Sequence, residues 1–162
     1  MELIEDGVTY QGLWPAAPDE IKQEVMALWR TAGALPKGVA PESRAAELLM
    51  IARTDNLLFG VGTCTLVDIP DLGKPYYDCR FLTLPGERHN HFATRMLMHS
   101  FDHLQAYNLS LPRPEAVGVY VLIQSRLVAD NKREAIWPTT RCLYIGRSAE
   151  GWPRRIRHFD FA

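Results

Sequence analysis

Phe92, Ala93, Met96, Leu97, Ser100, Phe101, Leu104 and Tyr107 fall on a single helical stripe, and no other pattern in the chain constrains its fold as tightly. A helix this amphipathic needs an apolar surface to lie on. The residues before it supply one. Residues 48–52 are a continuous apolar run that reads as a buried strand. Thr54-Asp55-Asn56 is a turn, and residues 57–67, with Val61, Thr63 and Thr65, read as the returning strand of a hairpin. Residues 70–75 form a loop, and residues 76–84 read as a further strand that Pro85-Gly86 breaks just before the helix.

The flanks extend the same alternation. Leu3-Ile4 and Val8-Thr9-Tyr10 surround Glu5-Asp6-Gly7, the pattern of two short strands and a turn. Pro18-Asp19-Glu20 opens a helix whose apolar positions are Ile21, Val25, Leu28, Trp29 and Ala32, and Gly33, Pro36 and Gly38 end it. Pro41-Glu42-Ser43 starts a second, short helix reaching about Glu47. Beyond the rigid loop Leu111-Pro112-Arg113-Pro114, residues 116–123 read as a strand and residues 125–135 as a helix or a loop. Leu143-Tyr144-Ile145 is a short strand, and residues 154–161 read as a last edge strand. The order predicts an α/β (α+β) domain: a mixed, twisted sheet of about six or seven strands flanked by helices. The 162 residues suit a single domain over 1–162, with no repeat or linker to divide them.

Composition narrows the function. With 47% hydrophobic and 23% charged residues and a formal charge of −1, bulk charge gives no reason to expect nucleic acid or an anionic membrane as partner. No apolar run approaches the roughly 20 residues a bilayer span needs, and the acidic start lacks the order of a secretory signal. Cys64, Cys79 and Cys142 form no CxxC pair, so a reducing cytoplasm is the expected setting.

The run LLMIARTDNLLFGVGTC, followed by YYDCRFLTLPGERHNHFATRMLMHSF, resembles the central hairpin, fourth strand, cofactor loop and third helix of the GNAT acyltransferase superfamily. The resemblance implies a GNAT-like fold. It also implies acetyl-CoA, or another acyl-CoA, as co-substrate for transfer to a small-molecule or protein amine. The family loop reads Arg/Gln-x-x-Gly-x-Gly/Ala, and its counterpart here is Arg88-His89-Asn90-His91-Phe92-Ala93. Arg88 and Ala93 match, and His91 stands where the family has Gly. The loop's task is to aim main-chain N–H groups at a diphosphate, aided by the positive end of the following helix, with Arg88 and Thr94 as side-chain donors. The alternative is an ordinary helix start with Asn90 as N-cap. The resemblance also implies that main-chain groups near Leu82, Thr83 and Leu84 pair with the pantetheine arm as an added strand.

Amine acylation needs a proton acceptor for the amine and a proton for the departing thiolate. Asp78 lies where many family members keep a carboxylate; strand alternation also sets it beside Arg80, where an ion pair is the rival reading. The family's usual acid, a Tyr on the helix after the fifth strand, has no counterpart in 125–135, which leaves Tyr120 and Tyr144 as substitutes or as packing aromatics. His99 and His103 are spaced i, i+4, yet no HExxH signature or completing carboxylate accompanies them, and no metal site is expected. The tail 151–159 mixes arginines with aromatics; an edge strand with solvated charges explains it better than nucleic-acid binding. The expected function is an acyl-CoA-dependent N-acyltransferase acting by direct attack, with a homodimer left open. The alternative is a GNAT-fold binding or regulatory protein without catalysis, favoured by the altered loop and the missing tyrosine.

Overall fold

The computed structural model describes residues 1–55, 57–84 and 91–160; Asn56, residues 85–90 and residues 161–162 stand outside the description. The elements follow in the order β1 (Glu2–Glu5), β2 (Val8–Gly12), α1 (Asp19–Ala32), α2 (Pro41–Ala45), β3 (Leu48–Thr54), β4 (Leu57–Ile69), β5 (Lys74–Thr83), α3 (Phe92–Ser110), β6 (Gly118–Leu122), α4 (Arg126–Asn131), β7 (Leu143–Arg147) and β8 (Pro153–His158). Eight strands join one mixed sheet in the order β1-β2-β3-β4-β5-β6-β8-β7, one more than the sequence reading allowed. The described pairings are antiparallel except β5 with β6, which is parallel. No helix among the described residues is long and apolar enough to cross a membrane.

The chain divides into two compact units, the first made of Met1–Cys64 and Phe81–Leu104, the second of Thr65–Arg80 and Gln105–Ala162. In the first, α1 buries Val25, Met26 and Trp29 against Leu48, Ile51, Leu58 and Val61. Gly33 ends α1 in the left-handed conformation, its N–H reaching back to Arg30 and Trp29 carbonyls, as a glycine can do without strain. A fork of two hydrogen bonds, from Arg53 to Glu24 at 2.7 and 2.6 Å, fixes α1 on β3. The α3 stripe is buried as expected at Phe92, Met96, Leu97, Ser100, Phe101 and Leu104. Ala93 departs from it and is exposed, because it sits on the outer side of the first turn. Gly60 explains how closely α3 approaches: a Cβ there would meet Met96 Sδ at 2.7 Å and Ala52 Cβ at 3.0 Å.

In the second unit, Ile69, Tyr76 and Ile156 form a smaller core with Tyr120 and Ile145 packed on it. Asn108, buried near the end of α3, accepts through Oδ1 from the N–H groups of Glu115 and Ala116 at 2.9 and 3.1 Å and donates to the Ala116 carbonyl at 2.9 Å. Residues 125–135 resolve into α4, with the Ser125 hydroxyl capping its start, followed by irregular chain. The edge-strand reading of the tail is corrected. β8 lies between β6 and β7, leaving β7 at the edge. Two of its three arginines are accordingly held by the protein: Arg154 is paired with Asp71, and Arg155 is only 2% exposed. Arg155 donates to the carbonyls of Cys142, Lys132 and Glu134 at 3.1, 3.2 and 2.7 Å and stacks 4.2 Å from the Trp137 ring. A guanidinium satisfies scattered carbonyls in a way no apolar side chain can, and this one ties irregular chain to the sheet.

Candidate functional site

Parallel strands end together, and ligands of open α/β sheets gather at their carboxyl ends. β5 and β6 pair as Tyr77↔Val119, Asp78↔Tyr120 and Cys79↔Val121. β5 then continues to Thr83 beyond that pairing. The Leu84 N–H donates to the Phe59 carbonyl at 2.9 Å, so even-numbered residues here turn their main-chain groups toward β4. By strand alternation Phe81 and Thr83 turn theirs the other way, where no strand pairs with them among the described residues. Of the three residues expected to meet a pantetheine arm, Thr83 has this orientation. Leu82 has the opposite one, and Leu84 already uses its N–H. Phe81 joins the set through its main chain. The sequence held no signal for it, since a main-chain site requires no particular side chain.

Of the expected diphosphate loop, Arg88, His89 and Asn90 lie outside the described residues. His91 is exposed, and its carbonyl accepts from the Arg95 N–H at 2.8 Å, the first bond of α3. The N–H groups of Phe92, Ala93 and Thr94 belong to the first turn, where the helix itself offers no acceptor. The Phe92 ring is buried, 4.7 Å from the Phe59 ring, which turns it into the interior. Thr94 is half-buried. One turn on, Arg95 is held by Asp6 at 2.6 Å and Glu5 at 3.5 Å, and Glu5 also meets His99 at 3.1 Å. The β1–β2 turn therefore anchors the second turn of α3. His103 turns elsewhere and donates to the Trp14 carbonyl at 2.9 Å. Burial pushes its imidazole below the ordinary value of 6.5, although that bond opposes the shift. The two histidines have separate partners, and among the described residues no group of His, Cys, Asp and Glu gathers as a metal site.

The acid–base candidates separate by face. Asp78 and Tyr120 are register partners and share one face with Ile156, which pairs with Tyr120 in β8. Tyr144 pairs with Arg155 and so lies on the other face with Val121. Asp78 receives a 2.6 Å hydrogen bond from Arg80, the ion pair that alternation suggested. Tyr120 is half-buried; burial raises its phenol above the ordinary value, Arg154 counters this, and Asp78, Asp71 and Glu150 add to it. A phenol in that state stays protonated at neutral pH and can give a proton to a thiolate. The carboxylate beside it can take one through water.

With this geometry in view, the chain is similar to solved acetyltransferases. The putative acetyltransferase yncA from Salmonella typhimurium, solved with acetyl-CoA, aligns over 97% of this chain and 96% of its own at TM-score 0.66 and 9% identity. The ribosomal-protein-S5-alanine acetyltransferase from Vibrio fischeri aligns over 99% and 97% at TM-score 0.63 and 8% identity. N-acetylglutamate synthase from Neisseria gonorrhoeae, complexed with coenzyme A and L-arginine, covers 96% of this chain with 34% of its own, at TM-score 0.60 and 14% identity. No family model and no curated protein sequence matches the chain. At such identities the common property is the fold, which is the GNAT fold.

Proposed function

We propose that this chain is an acyl-CoA-dependent N-acyltransferase, using acetyl-CoA or another acyl-CoA. The observation that carries the reading is β5. It leaves its parallel partner after Cys79, continues to Thr83 with the main chain of Phe81 and Thr83 turned away from β4, and leads toward α3. Those main-chain groups suit a pantetheine arm paired as an added strand. The N–H groups of Phe92, Ala93 and Thr94, with His91 and the neighbouring Arg88, His89 and Asn90, suit the diphosphate.

In the reaction, the nitrogen of a neutral amine attacks the thioester carbonyl, a C–N bond forms, the C–S bond breaks, and the thiolate leaves. Asp78 takes the proton lost by the amine, through water, and Tyr120 supplies one to the thiolate. A covalent intermediate is not required, and Cys64, Cys79 and Cys142 are buried thiols. Buried cysteines outside any disulfide also suit a cytoplasmic setting. A second reading, a binding or regulatory protein without turnover, is favoured by the 2.6 Å Arg80–Asp78 pair, which engages the proposed proton acceptor with a guanidinium. Calorimetric titration with acetyl-CoA, followed by thiol release across an amine panel, tests both. Binding with turnover supports the enzyme, binding without turnover supports the second reading, and absence of binding removes the acyl-CoA proposal.

A further inference from the structure

A cleft of about 250 Å³ opens beside the carboxyl end of β6. Arg126 and Asp130 of α4 form one wall, Arg147, Glu150 and Trp152 of the β7–β8 hairpin form the other, and buried Pro153 lies between them. The Ile123 N–H donates to the Pro153 carbonyl at 2.9 Å, which ties the cleft to the end of β6. The hairpin wall is firmly built. Ser148 N donates to the Trp152 carbonyl at 2.8 Å, Gly151 N to the Ser148 carbonyl at 2.9 Å, and Trp152 N to the Ser148 hydroxyl at 3.2 Å. Arg147 Nη1 closes the turn on the Gly151 carbonyl at 2.6 Å, leaving the rest of its guanidinium available. Walls fixed in advance lose little freedom when a ligand arrives.

The charges select the ligand. Arg126 makes no ion pair among the described residues. The Glu150 carboxyl is held below the usual range by a main-chain N–H and the Ser148 hydroxyl, so it remains an anion. Among the described residues Asp130 has only Arg133 as an ion-pair partner, at 3.9 Å. Two guanidiniums, two carboxylates and an indole thus face one small space. A polyphosphate would meet the carboxylates and a polyamine the guanidiniums. An apolar molecule would strip water from all four charges. A small zwitterion answers both signs at once. The cleft also belongs near the chemistry, since Glu150 is among the charges acting on the Tyr120 phenol.

We propose that this cleft is the acceptor subsite and that it takes a free α-amino acid. The carboxylate lies on Arg126 and Arg147, the amino group faces Asp130 and Glu150, and the side chain rests on Trp152. The role as acceptor rests on the acyltransferase reading, whereas the binding of the amino acid does not. The test is calorimetry on the intact chain with leucine, methionine and phenylalanine, and with their decarboxylated amines, against the parent, Arg126→Ala and Arg126→Lys. We expect amino acids to bind more tightly than the matching amines. Arg126→Ala should weaken amino-acid binding by about 10- to 100-fold, with acetyl-CoA affinity and melting temperature unchanged and partial recovery in Arg126→Lys. With turnover, KM for the amino acid should rise while kcat holds. Equal binding of amines and amino acids, unchanged affinity in Arg126→Ala, or no binding by any of the three amino acids overturns the subsite. Amino-acid binding without acetyl-CoA binding supports the zwitterion site but overturns its role as acceptor subsite, along with the acyltransferase reading; acetyl-CoA binding without amino-acid binding overturns this subsite alone.

Discussion

The unit holding α1, β3 and most of α3 keeps its interior dry, whereas the unit holding β6, β7 and β8 brings charge inside. In the first, the side-chain polar groups buried among the described residues are uncharged, the hydroxyls of Thr63, Ser100 and Tyr10 and the Trp14 indole N–H, among leucines, isoleucines and aromatics. In the second, Arg155 and Asn108 are fully enclosed, and Asp78 and Tyr120 stand half-covered on the sheet. Apolar packing alone would have been the easier way to stabilise that second unit, because each enclosed polar group must find partners or lose stability. Departures from local packing rules concentrate where a protein does chemistry or must hold irregular chain in place. Arg155 serves the second purpose by gathering carbonyls, and the first is what we propose for Asp78 and Tyr120.

Four experiments sharpen or break this contrast. The largest effect belongs to Met96→Asp, which sets an unpaired carboxylate against Gly60 in the interior. We expect a loss of more than about 4 kcal/mol, enough to prevent folding at ordinary temperatures; a well-folded variant by circular dichroism would show that the interior is not dry. Asp78→Asn comes next. If the carboxylate takes the amine proton, kcat falls by about 10²–10⁴ with acetyl-CoA affinity nearly unchanged. Unchanged turnover with a lower melting temperature would leave Asp78 as the partner of Arg80 and no more.

Arg155→Met keeps much of the volume but abandons three carbonyls. Denaturant titration should give a loss of about 2–4 kcal/mol; an unchanged midpoint would mean those carbonyls find other donors. The smallest effect concerns His103. Its folded imidazole titrates below the ordinary 6.5 because of burial, so the unfolded chain takes up the proton first. Its contribution to stability is full above the unfolded value and is lost as pH falls through the folded one. Melting temperatures should therefore fall between about pH 7 and pH 5, and less steeply in His103→Gln. An identical slope in both proteins would exclude this imidazole as the cause.

Most of the fold was legible wherever the pattern is local. The α3 stripe, the β3–β4 hairpin and the Gly33 stop each follow from neighbours in sequence. The place of β8 did not, because a strand's neighbours are chosen by register across long separations. The pairing of Val119 with Arg157 and of Leu122 with Arg154 has no trace in the Arg-Arg-Ile-Arg run itself. Periodicity could say that charges alternate there, and it assigned them to water. The candidate site divides in the same way. Asp78 beside Arg80 follows from a period of two. That Tyr120 shares their face and Tyr144 does not depends on three strand pairings. The cleft was invisible for a related reason: only the β7–β8 hairpin brings Trp152 opposite α4.

Asn108 has a consequence for how this chain tolerates change. Its amide binds Glu115 and Ala116 and so joins the end of α3 directly to the approach of β6. Whatever lies between is a detour whose two ends are already clasped. The prolines at 112 and 114 stiffen that detour without being needed to close it. Evolution, or an engineer, is therefore free to lengthen the stretch around Arg113, and a peptide tag grafted there would hang outside the clasp with the sheet behind it undisturbed.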